Sequence, residues 1–165
     1  MDATTAASSP SGQRDALSIR EDFYVEIARF TEEAGGKWTY LDGDSFSPED
    51  RASFSPKACA GADDDGPRQL LLLLLSGPSK EGPAEIKRIK SVLEDRGLKV
   101  TGYIPGTTDG ETSSVDAEST TGQYVSYGTN AQRTTVRFGS ECSSDPTMLQ
   151  DLNRSAPHRE GSPRP

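Results

Sequence analysis

Residues 67–80 read PRQLLLLLLSGPSK: six leucines in a row, entered from Pro-Arg-Gln and closed by Ser-Gly-Pro. Extended, six residues reach about 20 Å; coiled, they rise only about 9 Å. A bilayer-crossing helix takes roughly 20 apolar residues, far more than this run holds. The apolar heart of a secretion signal takes about 7–15 and lies near an N-terminus. This run instead follows Asp63-Asp64-Asp65-Gly66, deep in the chain. A short apolar stretch between turn residues is the pattern of a strand covered on both faces. The leucines are therefore expected to form an interior strand.

Working outward, residues 18–34 carry a helical pattern. Ile19, Phe23, Ile27 and Phe30 recur at helical spacing, Ser18 with Glu21 fits a capping box, and Gly35-Gly36 supplies the left-handed stop. The opposite side of that helix carries Asp15, Asp22, Glu26 and Glu33, an acidic row that is either a solvated face or a partner-facing stripe. KWTYLD at 37–42 alternates as a strand, ended by Asp42-Gly43. Residues 43–66 read as a long irregular connection pinned by Phe46 and Phe54.

Beyond the leucines, Pro83 opens a second helix at the position where its missing N–H costs nothing. Ile86, Ile89 and Leu93 form its inner stripe, and Gly97 ends it. LKVTGYI at 98–104 is the next strand, and 105–120 reads as a polar loop. Residues 122–128 and 133–139 pair around a turn at Thr129-Asn130. In the last of these, Thr134, Val136 and Phe138 alternate with Arg133, Thr135 and Arg137, so one face should be wet. The order α-β-β-α-β-β-β gives an α+β fold: two helices on one face of a mostly antiparallel sheet of about five strands. Residues 15–152 form its single domain. Residues 1–14 and 153–165 are too poor in apolar side chains to offset the entropy of ordering, and are expected as disordered tails.

The net charge of −8 lies entirely in the first part of the chain, where residues 1–66 hold 6 Lys/Arg against 14 Asp/Glu; residues 67–165 hold 12 of each. Such a surface repels phosphate backbones, which argues against nucleic acid as a partner. No polybasic stretch of the kind that binds anionic lipid is present. The acidic excess serves solubility or docks a basic partner.

Cys59 sits in the long connection and Cys142 just past the last strand, both at element ends. A bridge between them would close a loop of about 84 residues and stabilise the fold by roughly 4–5 kcal/mol on the chain-entropy model. Two free, half-buried thiols are the alternative. No CxxC or Cys/His cluster marks a structural zinc.

The Ser/Ala/Thr/Pro-rich N-terminal arm, the first helix, the Lys37-Trp38-Thr39-Tyr40 strand, the early cysteine and the closing TTVRFGSEC (134–142) resemble the mature part of small extracytoplasmic lipoproteins of actinobacteria. The resemblance is one of layout and covers about residues 1–145. It implies a flexible arm behind a lipid-modified cysteine, a compact α/β body with one disulfide, and residence in the cell envelope. These 165 residues contain neither an N-terminal apolar segment nor a lipobox cysteine, so the expected anchor lies outside them.

His158, the single histidine, falls in the expected C-terminal tail, which removes Ser-His-Asp and Cys-His catalysis and multi-histidine metal sites. The GxGxxG and GxxxxGK[ST] fingerprints are missing. Asp42-Gly43-Asp44 and Asp63-Asp64-Asp65-Gly66 lack the alternating spacing that aims carboxylates at one calcium ion, and read as acidic turns. Trp38, Tyr40, Tyr103, Tyr124 and Tyr127 would line a ligand groove only if they share an exposed sheet face; packing is their ordinary role. The expectation is a non-catalytic, exported binding domain without cofactor or metal, its partner an unidentified protein or small ligand. The alternative is a small acidic cytoplasmic inhibitor or immunity-type protein masking a basic partner.

Overall fold

The first helix begins three residues earlier than its apolar stripe suggests. In the computed structural model, which describes residues 14–51, 54, 56–63, 65–106 and 111–149, α1 spans Ala16–Ala34 and Asp15 is its cap. The Asp15 carboxylate accepts the Ser18 N–H at 2.8 Å, so the expected Ser18–Glu21 box is replaced by an aspartate cap one turn upstream. Glu21 is thereby released to bind Arg51. The expected tails lie outside the described residues, apart from Arg14.

Seven strands follow: β1 (Thr39–Tyr40), β2 (Pro56–Ala58), β3 (Arg68–Ser76), β4 (Lys99–Ile104), β5 (Ser113–Glu118), β6 (Tyr124–Thr129) and β7 (Thr134–Gly139). The second helix, α2 (Pro83–Asp95), separates β3 from β4, and a short 3₁₀ turn (Pro146–Leu149) follows β7. The sheet order is β1-β3-β7-β6-β5-β4, with β2 also on β3, and every pairing is antiparallel. The α+β architecture is as expected, with two more strands. β2 lies within the presumed irregular connection, and β5 within the presumed loop 105–120. β5 reads SSVDAE, too weakly apolar to register as a strand, yet Val115 and Ala117 alternate inward and are fully buried.

The core lies on one side of this sheet. Leu70 and Leu74, Val136 and Phe138, Val125 and Tyr127, and Val115 and Ala117 point toward the helices. They meet Phe23, Ile27 and Phe30 of α1 and Ile86, Ile89 and Leu93 of α2. Phe30 packs edge-on against Tyr127 and Phe138 at centroid distances of 5.9 and 5.4 Å. Phe54 closes on Phe23 at 4.9 Å and Phe46 on Tyr40 at 5.7 Å, pinning the connection after β1 as expected. Each such burial contributes about 1.5–3 kcal/mol before entropy is counted.

The leucine strand is interior in the hydrogen-bonding sense, since β3 is paired along both edges. It is not sandwiched, however. Leu70 and Leu74 are buried against the helices, whereas Leu71, Leu73 and Leu75 are half-buried on the far side, level with Gly139, Arg137 and Thr135. Antiparallel sheets tolerate one solvated face. Among the described residues, no helix lies over that side.

Candidate functional site

The most heavily cross-linked region is the end of the sheet where the chain enters at Arg14. Cys59 and Cys142 are bonded there, 83 residues apart in sequence. Each cysteine is also held by its backbone: the Cys59 N–H donates to the Pro67 carbonyl at 3.0 Å and the Cys142 N–H to that of Thr121 at 2.9 Å. Gly122 packs directly on the Cys142 sulfur, where a Cβ would collide. Gln69, buried, donates to the carbonyls of Gly122 and Ser140 at 3.1 and 2.8 Å. Ser143 exchanges two backbone hydrogen bonds with Arg68, both at 2.9 Å.

The entering chain is fastened to the same base. The Ser143 hydroxyl donates to the Arg14 carbonyl at 2.6 Å, and the Ala16 N–H donates to Asp145 at 2.8 Å. Backbone N–H groups of Thr147 and Ala16 hold the Asp145 carboxyl below the usual aspartate range. Helix α1 therefore starts at this base and ends at the other pole, where the Ser76 hydroxyl donates to the Lys37 carbonyl at 2.6 Å.

All four members of the acidic row are among the described residues, and they have different partners. Asp15 is the helix cap. Asp22 accepts from Arg14 at 2.6 Å, and the same guanidinium reaches Glu141. Glu26 and Glu33 share Arg96, at 2.7 and 2.9 Å, and this arginine side chain is almost buried between the helices. The hydrogen bond to Asp22 and the nearby Glu141 charge raise the Arg14 pKa against a smaller opposing effect of burial. Asp22, Glu26 and Glu141 border a cleft of about 350 Å³ along α1. Most of the row is thus neutralised from within the molecule.

Among the buried polar groups that the sequence did not single out is a carboxylate. Glu85, in the first turn of α2, accepts from the Ser79 hydroxyl at 2.9 Å and from the Tyr127 phenol beneath the core. Burial, with Glu85 as acceptor, pushes the Tyr127 pKa well up, so the phenol stays protonated and donates. The available signal was a glutamate at the third helical position, where the helix dipole favours an anion.

The five aromatics do not share a face. Trp38, Tyr40 and Tyr127 are core residues. Tyr103 lies at the β4 edge with Lys90 5.5 Å from its ring centroid, and the Tyr124 ring covers Gly139 on the sheet's far side. A different open cleft, about 360 Å³, lies at the pole away from the base, bordered by Trp38, Phe46, Pro48, Thr31, Glu32 and Lys37. Among the described residues no group of three or more His, Cys, Asp or Glu is placed to hold a metal ion. No helix of the described residues is long and apolar enough to cross a membrane.

No protein-family model matches the chain, and no curated protein matches it. A solved structure of a DUF4853 family protein from Actinomyces odontolyticus is similar at TM-score 0.42 and 14% identity, over 76% of this chain and 64% of that one. The chain thus spans less than two thirds of that structure's length.

Proposed function

We propose that the protein is a non-catalytic binding domain of the cell envelope, exported and held at the membrane through a lipid anchor outside these 165 residues. The bond between Cys59 and Cys142 carries this reading, because structural disulfides persist in oxidising compartments and are rare where thiols are kept reduced. The fastening of Arg14 and Ala16 to the same base supports it: a pull transmitted along the arm meets the most cross-linked part of the fold first. The buried carboxylate, Glu85, is committed to Ser79 and Tyr127, a structural engagement. A cytoplasmic inhibitor that presents the acidic row to a basic partner would first have to break the row's pairs with Arg14 and Arg96.

Maleimide-polyethylene-glycol labelling in the native host tests the compartment. Protein in the membrane fraction that labels only after reduction supports export. Protein in the cytosol that takes up two labels without reduction overturns it.

A further inference from the structure

We propose that the helix-free face of the sheet is a docking surface for an acidic, leucine-compatible segment of a partner protein, centred on β3 and β7. This deepens the binding-domain reading and rests on it, though not on export. Along β3, Leu71, Leu73 and Leu75 stand on this face about 6.7 Å apart. Directly across the ladder, Leu73 faces Arg137 and Leu75 faces Thr135, while Tyr124 covers Gly139 beside Leu71. The result is an apolar strip with a cation set into it.

The cations decide the partner's chemistry. Nine arginines lie among the described residues. Arg14, Arg20, Arg29, Arg51, Arg88 and Arg96 each make an ion pair, and Arg68 is also engaged. Only the guanidinium groups of Arg133 and Arg137 have no such partner within the described residues. Both are exposed; Arg137 is on the outward side of β7 and neighbours the leucine strip, and Arg133 sits in the turn just before that strand. Lys57, exposed on β2 opposite Gln69, adds a cation beyond the far end of the strip.

In a chain with eight excess negative charges, the other described arginines are all engaged, whereas these two, on or beside the helix-free face, are left without an acid partner among the described residues. The acids of this face, Asp116 and Glu118, lie two strands away on β5, with Asp116 accepting from Ser126 at 2.6 Å. The surface is therefore cationic and apolar at β3–β7, with the acids of β5 further off and Lys99 on β4 opposite Glu118. A partner segment with carboxylates spaced to meet Arg133 and Arg137, and apolar side chains between them, complements it in charge and in period. An anionic bilayer fits less well: polybasic lipid sites use about 4–8 Lys/Arg, and the net charge opposes approach.

Nuclear magnetic resonance on the oxidised full chain tests this, with a synthetic nine-residue peptide of alternating Glu and Leu as the probe. The expected result is shifts confined to amides of residues 68–76 and 134–139, with affinity at least tenfold weaker for R133E/R137E and several-fold weaker for the milder R133Q/R137Q. A Lys/Leu peptide should leave the spectrum unchanged. Unaltered dispersion of the other resonances shows that the variants fold. No binding, binding along α1, or binding indifferent to the charge reversal overturns the proposal. So does preference for phosphatidylglycerol vesicles, which assigns the face to lipid, or self-association abolished by R137E, which assigns it to a second copy. None of these outcomes bears on thiol labelling, so failure here leaves the compartment reading standing.

Discussion

The two faces of strand β3 carry the same residue and do different work. Leu70 and Leu74 are at or near zero exposure against α1, while Leu71, Leu73 and Leu75, one step along the same strand, have no helix over them. Side-chain chemistry is identical on both sides; what differs is the layer above. A run of one residue type therefore carries no periodic signal, and its two faces can be told apart only through its neighbours. Strand β7, hydrogen-bonded to β3 over six residue pairs, does carry that signal in Thr134, Val136 and Phe138 set against Thr135 and Arg137.

The sharpest way to break this contrast is to remove what both faces share. Replacing Cys59 and Cys142 together with alanine should cost about 4–5 kcal/mol in urea denaturation on the chain-entropy model. A loss near zero would mean that the base holds without its sulfur link. Next in size, Leu74→Ala should cost about 2–5 kcal/mol and Leu73→Ala under about 1 kcal/mol, measured the same way. Equal losses would show that the far side is covered after all.

Tyr127→Phe removes the phenol that donates to Glu85 and should cost about 1–3 kcal/mol, because a buried carboxylate oxygen loses its partner. A stability rise instead would show that water or another donor reaches Glu85. At the base, Asp15→Ala should cost about 1 kcal/mol through loss of the α1 cap, with Ser18→Ala nearly neutral. The reverse ranking would restore the capping box.

The smallest effect concerns acid. The Asp145 carboxyl titrates lower in the fold than the ordinary aspartate value of 3.8, so its contribution is present above that value. It is lost as the pH falls through the lower folded value. Hydrogen exchange at Ala16 and Thr147 should then accelerate below about pH 4 relative to amides in β6, and no such difference should survive in Asp145→Asn.

Both helices were legible because each carries an unbroken apolar stripe: Ile19, Phe23, Ile27 and Phe30 in one, Ile86, Ile89 and Leu93 in the other. All seven are nearly or fully buried. Gly35 and Gly97 stop their helices with positive φ, as their positions announced. β5 was hidden because its inward residues are Ser113, Val115 and Ala117, small or polar side chains that become core only through pairing with β4 and β6. β2 was hidden because three residues cannot display a period. At the candidate site, the cysteines were found by placement, whereas Asp145 and Ser143 bind the backbone of a segment far away in sequence. No local motif marks that.

Sequence alone determined the helices, the leucine strand, the one wet face of β7 and the candidate cysteine link, since each depends on spacing or on residue chemistry within a short window. Only tertiary structure decided that the acids of α1 meet Arg14 and Arg96, that Glu85 is buried under Tyr127, and that half of the leucines face away from the core. Those outcomes depend on which elements stack on which. Ion pairing and desolvation act across space, between residues 70 positions apart in Glu26 and Arg96 and 127 apart in Arg14 and Glu141.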